Sequence, residues 1–131
     1  MIAVDTNVLV RFLVEDDASQ TERVRKLLQQ AVDSDTSCFV SDIVMCEVVW
    51  VLERSYKLRR AEISQALRRV LRARNLAFTS SERLVRALEA YDQGRGDFAD
   101  YLIREHARAS GCKAVATFDG DLLEEPGFTA V

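Results

Sequence analysis

Short apolar runs alternate with amphipathic helical segments along this chain, and this alternation constrains the fold more than any other feature of the sequence. The apolar runs predict five strands, at about residues 2–5, 38–40, 76–78, 114–118 and 128–131. The intervening segments have the 3.6-residue period of helices, and four of them cover about residues 18–32, 41–56, 60–73 and 97–110. Ser41 is expected to cap the second of these four helices, and two more helices are predicted, one after the first strand and one capped by Ser80 or Ser81. Because strands alternate with helices, we predict a parallel sheet with helices on both faces.

Length and composition fit a single globular domain over residues 1–131. Of these residues 48% are hydrophobic and 30% are charged, and one Pro and five Gly leave little material for linkers. No apolar run approaches the roughly 20 residues that cross a membrane, so no membrane span is expected. The chain starts directly with a strand, so no signal peptide is expected either.

The three cysteines are Cys38, Cys46 and Cys112. Their spacing matches no zinc motif, and an odd number of cysteines argues against a complete disulfide framework. We therefore expect buried, unpaired thiols in a protein of the reducing cytoplasm.

Five acidic residues lie just past the ends of predicted strands. Asp5 follows the first strand and Asp119 follows the fourth, while Glu47 lies in the helix after the second. Asp97 and Asp100 open the helix that precedes the fourth strand. Ligands bind outside the carboxyl edge of an open parallel sheet, so these side chains are expected to converge there. A cation relieves the repulsion among such carboxylates, and oxygen ligands favour a hard divalent ion such as Mg²⁺.

The net charge is −3, yet basic residues are concentrated in one segment. Residues 54–74 contain eight basic side chains and a single acid, Glu62. This excess predicts either a phosphate-binding patch or a solvated helix face. Arg54 lies two helical turns beyond Glu47 on the same face, which makes it a candidate phosphate ligand or a partner for Glu47 or Glu53.

Four motifs, taken in order, resemble those of the PIN-domain family, and specifically those of VapC-type toxins of bacterial toxin–antitoxin systems. The resemblance covers almost the whole chain, and its specificity comes from the order and spacing of the four motifs together. They are Asp5-Thr6-Asn7-Val8-Leu9, then Ser41 followed by Glu47, then Asp97-Phe98-Ala99-Asp100 with Leu102-Ile103, and Thr117-Phe118-Asp119. One departure is Tyr101, where the family more often has a small residue, and we expect it to narrow the approach to Asp100.

The resemblance implies an α/β fold, organised as a three-layer α/β/α sandwich around a mainly parallel sheet of four to five strands. It implies an endoribonuclease that depends on Mg²⁺ or Mn²⁺, with RNA as its substrate, a small antitoxin as its partner and a homodimeric state. The catalytic carboxylates and metal ligands that it implies are Asp5, Glu47, Asp100 and Asp119. Residues expected to support these ligands or to contact the substrate are Thr6, Asn7, Ser41, Arg54, Asp97 and Thr117. For Asp97, which is commonly acidic in the family, a role as a direct metal ligand is the alternative.

Supporting roles can be assigned to several of these residues. Asn7 is a candidate to orient Asp5, and Thr6 is a candidate to donate a hydrogen bond to a carboxylate or phosphate. Trp50 is interpreted as a core or interface residue, with base stacking as the alternative. Gly94-Arg95-Gly96 has no known phosphate-binding spacing and is interpreted as a flexible hinge beside the site.

Two other functions fit parts of the sequence. A non-catalytic module that binds RNA or protein would keep the fold, but the complete set of acids argues against it. Phosphoryl transfer through a nucleophile at Asp5 would need a second Asp two residues later, where the chain has Asn7. The single histidine, His106, lies well inside a predicted helix, so no Ser-His-Asp triad is expected.

Overall fold

The computed structural model describes all 131 residues and contains six helices and five short strands. The helices are α1 (Thr6–Leu13), α2 (Ala18–Asp33), α3 (Asp42–Arg54), α4 (Arg60–Arg72), α5 (Ser81–Gln93) and α6 (Phe98–Ala109). The strands are β1 (Ile2–Ala3), β2 (Cys38–Phe39), β3 (Leu76–Ala77), β4 (Val115–Thr117) and β5 (Phe128–Ala130). All predicted helices and strands are present, and each strand is shorter than its apolar run.

Every strand pairing is parallel, as the alternation of strands and helices predicts. Strands β1, β2 and β3 pair in that order, with Ile2 opposite Cys38 and Cys38 opposite Leu76. Strands β4 and β5 form a separate pair, with Val115 opposite Phe128. The predicted α/β class is therefore confirmed, with its strands hydrogen-bonded as a group of three and a group of two.

The chain divides into two compact units, and the first covers Met1–Thr79. In this unit α1 packs against α2 and α3, and α3 packs against α4. Side chains on the apolar stripes of these helices are almost completely buried, and the largest are Leu9, Met45, Leu52, Ile63 and Leu67. Burial of each such side chain contributes about 1.5–3 kcal/mol relative to exposure, so the helix stripes make a large contribution to the stability of this unit.

A hydrogen-bonded triad joins the end of α1 to the segment that follows α3. Arg11 donates from one guanidinium nitrogen to Asp16 Oδ1 at 2.6 Å and to Tyr56 Oη at 2.9 Å. Tyr56 in turn donates to Asp16 Oδ2 at 2.9 Å. The hydrogen bond that Arg11 donates to the Tyr56 hydroxyl oxygen is the main reason that the pKa of Arg11 is raised above its ordinary value, and the nearby Asp16 carboxylate raises it further.

The second unit covers Ser80–Val131 and is built on the contact between α5 and α6. Tyr91 and Phe98 meet edge to face with ring centroids 6.2 Å apart. Glu105 of α6 is buried, and its carboxylate accepts hydrogen bonds of 3.0–3.1 Å from Arg86, Arg104 and Arg108. Three cations around one buried carboxylate tie α5 to α6 by a charge-assisted network.

The cysteines are all unpaired, as predicted, but only one of them is fully buried. Cys38 is buried and Cys46 is half-buried, whereas Cys112 is exposed. The prediction of burial is wrong for Cys112 because it follows Gly111, which turns the chain out of α6 at φ +83°. No helix combines the length and apolar character needed to cross a lipid bilayer.

Candidate functional site

Asp5 occupies the junction between β1 and α1. Its backbone is extended, at φ −93° and ψ 179°, and its Oδ1 accepts a hydrogen bond from the Val8 N–H at 3.1 Å. Asp5 is therefore the N-cap of α1, which orients its carboxylate at an exposed position. Its second carboxylate oxygen has no hydrogen-bond partner.

Glu47 is connected to the start of α1 by the adjacent threonine. The Thr6 hydroxyl donates to Glu47 Oε2 at 2.7 Å across 41 residues of sequence. The hydrogen bond expected from Thr6 to a carboxylate is therefore present. This contact holds one oxygen of Glu47 in the same unit as Asp5 and leaves Oε1 without a partner.

Asp97 and Asp100 form the N-terminal turn of α6. The Asp97 N–H donates to Asp100 Oδ2 at 2.9 Å, so the backbone just before the helix orients the carboxylate three residues later. Burial is the main reason that the pKa of Asp100 is raised above its ordinary value. Repulsion from Asp97, Asp119 and Glu125 raises this pKa further, while the hydrogen bond from Asp97 opposes the shift.

Asp119 follows β4 and is held from both sides by its neighbours. Its N–H donates to Thr117 Oγ1 at 3.0 Å, and its Oδ1 accepts from the Asp121 N–H at 2.9 Å. The second oxygen of Asp119 has no partner. Asp121 participates through its backbone, as expected of a turn residue.

The four predicted metal ligands share one arrangement. Each carboxylate has one oxygen held by a single hydrogen bond and the other oxygen without a partner, as found at Asp5, Glu47, Asp100 and Asp119. Hard cations take carboxylate oxygens as ligands, and hydrogen bonds that orient those carboxylates favour binding. The donor set therefore fits a divalent cation such as Mg²⁺ or Mn²⁺.

These ligands are divided between the two compact units. Asp5 and Glu47 belong to the first unit, and Asp100 and Asp119 to the second. Neither unit by itself assembles three or more His, Cys, Asp or Glu side chains into a metal site. The convergence of all four carboxylates stays a prediction from the sequence.

Of the predicted supporting residues, Asn7 differs from expectation and Ser41 agrees with it. Asn7 makes no hydrogen bond to Asp5, and it lines a depression of about 390 Å³ between α1 and α2. Ser41 is the N-cap of α3, with its Oγ accepting from the Val44 N–H at 3.2 Å. The orienting role expected of Asn7 is therefore wrong, whereas the cap expected of Ser41 is confirmed.

The face of α3 that carries Glu47 is exposed. Trp50 lies one turn beyond Glu47 and is 54% exposed, so the interpretation of Trp50 as a core residue is wrong for this chain. The Arg54 guanidinium stacks over the Trp50 ring, 4.5 Å from its centroid. Arg54 makes no ion pair with Glu47 or Glu53, since its partner is the aromatic ring.

Some arginines of the basic segment, residues 54–74, already contact other residues of the protein. Arg59 pairs with Glu62 at 3.2 Å, which compensates its charge. Arg69 donates to the Phe12 carbonyl oxygen at 3.3 Å and stacks over the Phe12 ring at 5.0 Å, so it packs on α1. Lys57, Arg72 and Arg74 are exposed and have no partner, so they are the cations of this segment most available for an anionic ligand.

The Gly94-Arg95-Gly96 loop, interpreted from the sequence as a flexible hinge, is hydrogen-bonded at both of its glycines. The Gly94 N–H donates to the Ala90 carbonyl at 2.8 Å, and the Gly96 N–H donates to Tyr101 Oη at 2.9 Å.

Tyr101 is fully buried and its hydroxyl also donates to Glu125 at 2.7–2.8 Å. Tyr101 therefore faces inward, and the expectation that it narrows the approach to Asp100 is wrong. Sequence reasoning missed Glu125, since an acid in a Gly/Pro-containing loop carries no periodic signal.

Comparison with known proteins assigns a family to this arrangement. The family model described as PIN domain matches residues 2–127. A protein of Aquifex aeolicus (strain VF5) named VapC ribonuclease is 27% identical over 131 residues, covering 100% of this chain and 96% of the relative. A solved structure, titled Mycobacterium tuberculosis VapC20, a sarcin–ricin loop cleaving toxin, is 22% identical with a TM-score of 0.38, covering 100% of this chain and 98% of that chain. The match of the family model over nearly the whole sequence confirms the predicted PIN-type α/β fold. The chain belongs to the PIN-domain family.

Proposed function

We propose that this protein is a metal-dependent endoribonuclease and the toxin of a toxin–antitoxin pair. The observation that carries the proposal is the shared arrangement of Asp5, Glu47, Asp100 and Asp119, each with one oriented and one available carboxylate oxygen. The similarity to a relative named VapC ribonuclease supports the same activity. We propose these four residues as the catalytic carboxylates and metal ligands of one PIN domain that spans residues 1–131.

Each supporting residue has a defined task in this proposal. Thr6 orients Glu47, and Thr117 holds the backbone amide of Asp119. The amide of Asp97 orients Asp100. A bound Mg²⁺ or Mn²⁺ would supply activation of water and compensation for charge that develops on the phosphate oxygens. Water that attacks phosphorus directly, with departure of the 3′-oxygen, leaves a 5′-phosphate and a 3′-hydroxyl.

The substrate proposal rests on the exposed face of α3. Trp50 presents an aromatic surface one turn from Glu47, and Arg54 adds a cation stacked on that ring. Base–aromatic stacking contributes about 1–3 kcal/mol per base in single-stranded nucleic acid complexes, and arginine binds phosphate. We therefore propose that an unpaired RNA segment passes over Trp50 and Arg54, with Asn7 as a further candidate substrate contact.

The partner and cellular context are proposed on narrower grounds. A toxin must be silenced by a partner protein. The VapC resemblance implies that this partner is a small antitoxin, and it also implies a homodimer. Three unpaired cysteines are consistent with a reducing cytoplasm.

The test is cleavage of a structured RNA by the purified protein with Mg²⁺, with Mn²⁺ and with excess chelator. We expect cleavage that requires the metal and yields 5′-phosphate ends, and a loss of about 100-fold or more in Asp100→Asn. Cleavage that persists in chelator would contradict the metal mechanism. RNA binding without cleavage under any metal would instead support a non-catalytic binding module.

A further inference from the structure

We propose that Tyr101 is a positioning residue that, together with Glu125, fixes the orientation of Asp100 for metal binding. This inference rests on the proposed function and deepens it, because it assigns the control of one metal ligand to two residues outside the predicted ligand set. All of the contacts that support it lie within the unit Ser80–Val131.

Two consecutive backbone amides before α6 are held by two consecutive side chains of its first turn. The Gly96 N–H donates to Tyr101 Oη at 2.9 Å, and the Asp97 N–H donates to Asp100 Oδ2 at 2.9 Å. Both side chains therefore reach back toward the same short stretch of backbone. The orientation of the Asp97 N–H determines where the Asp100 carboxylate points.

Gly96 lies between these two amides and has no side chain of its own to restrain its backbone. A glycine has the widest choice of backbone angles, so the direction of the Asp97 N–H is not restrained by a side chain at residue 96. The hydrogen bond from the Gly96 N–H to the buried Tyr101 hydroxyl restrains this backbone. Tyr101 thus limits the movement of the amide that orients Asp100.

Glu125 holds the Tyr101 hydroxyl in the direction that this restraint needs. Both carboxylate oxygens of Glu125 lie 2.7–2.8 Å from Tyr101 Oη, and this hydroxyl is their only hydrogen-bond partner. Because the hydroxyl proton points to Glu125, a lone pair of the same oxygen is directed to the Gly96 N–H. The order of donation runs from Gly96 to Tyr101 and from Tyr101 to Glu125.

The loop is packed so closely on this pair that its glycines have steric as well as conformational roles. A Cβ atom at residue 94 would overlap with Tyr101 Oη and with a carboxylate oxygen of Glu125. A Cβ at residue 96 would lie 2.6 Å from Leu122 Cδ2 and 3.1 Å from Tyr101 Oη. The Gly94-Arg95-Gly96 loop, Tyr101 and Glu125 therefore pack closely together next to the first turn of α6.

The experiment measures Mn²⁺ affinity by electron paramagnetic resonance on the full chain, a readout that does not depend on cleavage. We expect Tyr101→Phe and Glu125→Ala to weaken Mn²⁺ binding by about 10-fold, the lower end of the range for residues that orient metal ligands. Glu125→Gln should stay within about two-fold of the parent, because the amide oxygen still accepts from Tyr101.

The matched control is Tyr56→Phe in the other unit. Tyr56 also donates to a carboxylate and accepts from an N–H group, at Asp16 and Arg11, but it touches none of the proposed ligands. This variant loses comparable hydrogen bonds, so it reports the effect of a missing tyrosine hydroxyl on stability alone. We expect its Mn²⁺ affinity to equal that of the parent.

Excess Mg²⁺ provides the functional counterpart of the affinity measurement. In Tyr101→Phe, kcat on RNA should fall at limiting Mg²⁺ and recover at saturating Mg²⁺, with KM for RNA unchanged. Parental Mn²⁺ affinity in Tyr101→Phe overturns the inference and leaves the proposed nuclease in place. Equal weakening in Glu125→Gln and Glu125→Ala also overturns it, because the charge of Glu125 would then be responsible.

Two further results are decisive. If Tyr101→Phe does not fold, the comparison of Glu125→Gln with Glu125→Ala carries the test, since Glu125 is only half-buried. A parent protein that binds no Mn²⁺ overturns the proposed function itself and the inference with it.

Discussion

At the scale of single residues, one hydrogen bond orients a carboxylate without saturating it. Asp5 and Asp119 accept from nearby backbone amides, whereas Glu47 accepts from a hydroxyl 41 residues away. A carboxylate with two oxygens has about four acceptor positions, so most of its capacity is retained for a ligand. Local turn chemistry can therefore orient a metal ligand before any metal is present.

Asp100→Asn should raise the melting temperature in chelator by a few degrees at most. The amide oxygen of Asn keeps the hydrogen bond from the Asp97 N–H, while the charge that burial and neighbouring acids disfavour is removed. The same variant should lose most of the stabilisation by Mg²⁺. Thermal unfolding with and without Mg²⁺ measures both effects. If Asp100→Asn melts at a lower temperature than the parent in chelator, repulsion between Asp100 and its acidic neighbours is contradicted.

The pH dependence of this effect follows from the direction of the pKa shift. Because the pKa of Asp100 is higher in the folded protein, its ionised form destabilises the fold at neutral pH. This destabilisation decreases as pH falls through the folded pKa and is absent below the unfolded pKa of about 3.9. The difference between Asp100→Asn and the parent in chelator should therefore shrink on acidification to about pH 4.

Glu62→Gln is the matched control because Glu62 holds the same helical position in α4 that Asp100 holds in α6. Hydrogen bonds from the Arg59 backbone and side chain lower the pKa of Glu62, so its ionised form stabilises the fold at neutral pH. Its substitution should lower the melting temperature slightly. If the melting temperatures of Asp100→Asn and Glu62→Gln shift in the same direction, the opposite electrostatic environments of Asp100 and Glu62 are contradicted.

Cysteine labelling should separate the three thiols. Burial and the nearby Asp42 and Glu47 raise the pKa of Cys46 to about 11, and burial also raises the pKa of Cys38. Thiolate is the reactive form, so both should react slowly at pH 7.5, whereas the exposed Cys112 should react first. Mass spectrometry after brief iodoacetamide treatment measures the order, and labelling of Cys46 before Cys112 would be evidence against it.

At the scale of elements, helix ends organise the site and helix faces organise the core. Asp5, Ser41 and Ser80 cap α1, α3 and α5 with side-chain acceptors. The N-terminal turn of α6 differs because its preceding loop is anchored to Tyr101 and to Ala90. Two of the proposed ligands, Asp5 and Asp100, therefore lie where helices begin, whereas the charge network of Glu105 joins the middle of α6 to α5.

Gly96→Ala should destabilise the protein by about 1–3 kcal/mol, the usual range for overpacking. The added methyl group meets Leu122 and Tyr101, and neither can move away easily because both are buried. Gly120→Ala is the control, since no atom lies within 4 Å of its new Cβ. Urea denaturation compares the two, and equal stability of both variants would contradict the close packing of the loop.

Glu105→Ala should be the most destabilising of these substitutions, by about 3–5 kcal/mol, because it leaves buried Arg104 uncompensated. Arg86 and Arg108 would also lose their hydrogen bonds to the same carboxylate. Glu82→Ala removes only an exposed ion pair to Arg86 at 4.0 Å and should change stability by less than about 1 kcal/mol. If Glu105→Ala and Glu82→Ala lose comparable stability, burial of the Glu105 network does not increase its contribution to stability.

At the scale of the whole molecule, the proposed metal couples folding to ligand binding. An ion that binds only the folded protein stabilises it by about 2.7 kcal/mol when its concentration is 100-fold above Kd. Asp5 and Asp100 belong to different compact units, and both are proposed ligands. If the sequence-based prediction of a shared site is right, substitution of either residue by Asn removes most of the stabilisation by Mg²⁺.

Substitutions on the surface test the route of the RNA. Arg54→Gln should weaken RNA binding measured in chelator and reduce the slope of log K against log salt by about 0.7, the value for one phosphate contact in single strands. Arg59→Gln is the control, because Arg59 is already paired with Glu62. If the slope of log K against log salt is the same in the parent and in Arg54→Gln, the RNA does not contact Arg54.

Much of the architecture followed from patterns within short stretches of sequence. Apolar periodicity predicted every helix and strand, and residue type predicted the caps at Ser41 and Ser80. The acids at strand ends and the four motifs identified the family and the candidate ligands. These features depend on residues close together in the chain, whose local geometry is set by backbone sterics and hydrogen bonding.

Only the tertiary structure decided which distant side chains meet. The pairing of Tyr101 with Glu125, the packing of Arg69 on Phe12 and the hydrogen bond from Thr6 to Glu47 join residues 24 to 57 positions apart. None of these contacts has a period or a motif, because they arise from the way helices and loops pack once formed. The sequence by itself determined the helices, the strands and the chemical groups available for the site. Packing determined which hydrogen bonds orient those groups, since a side chain takes the partner that its surroundings bring within reach.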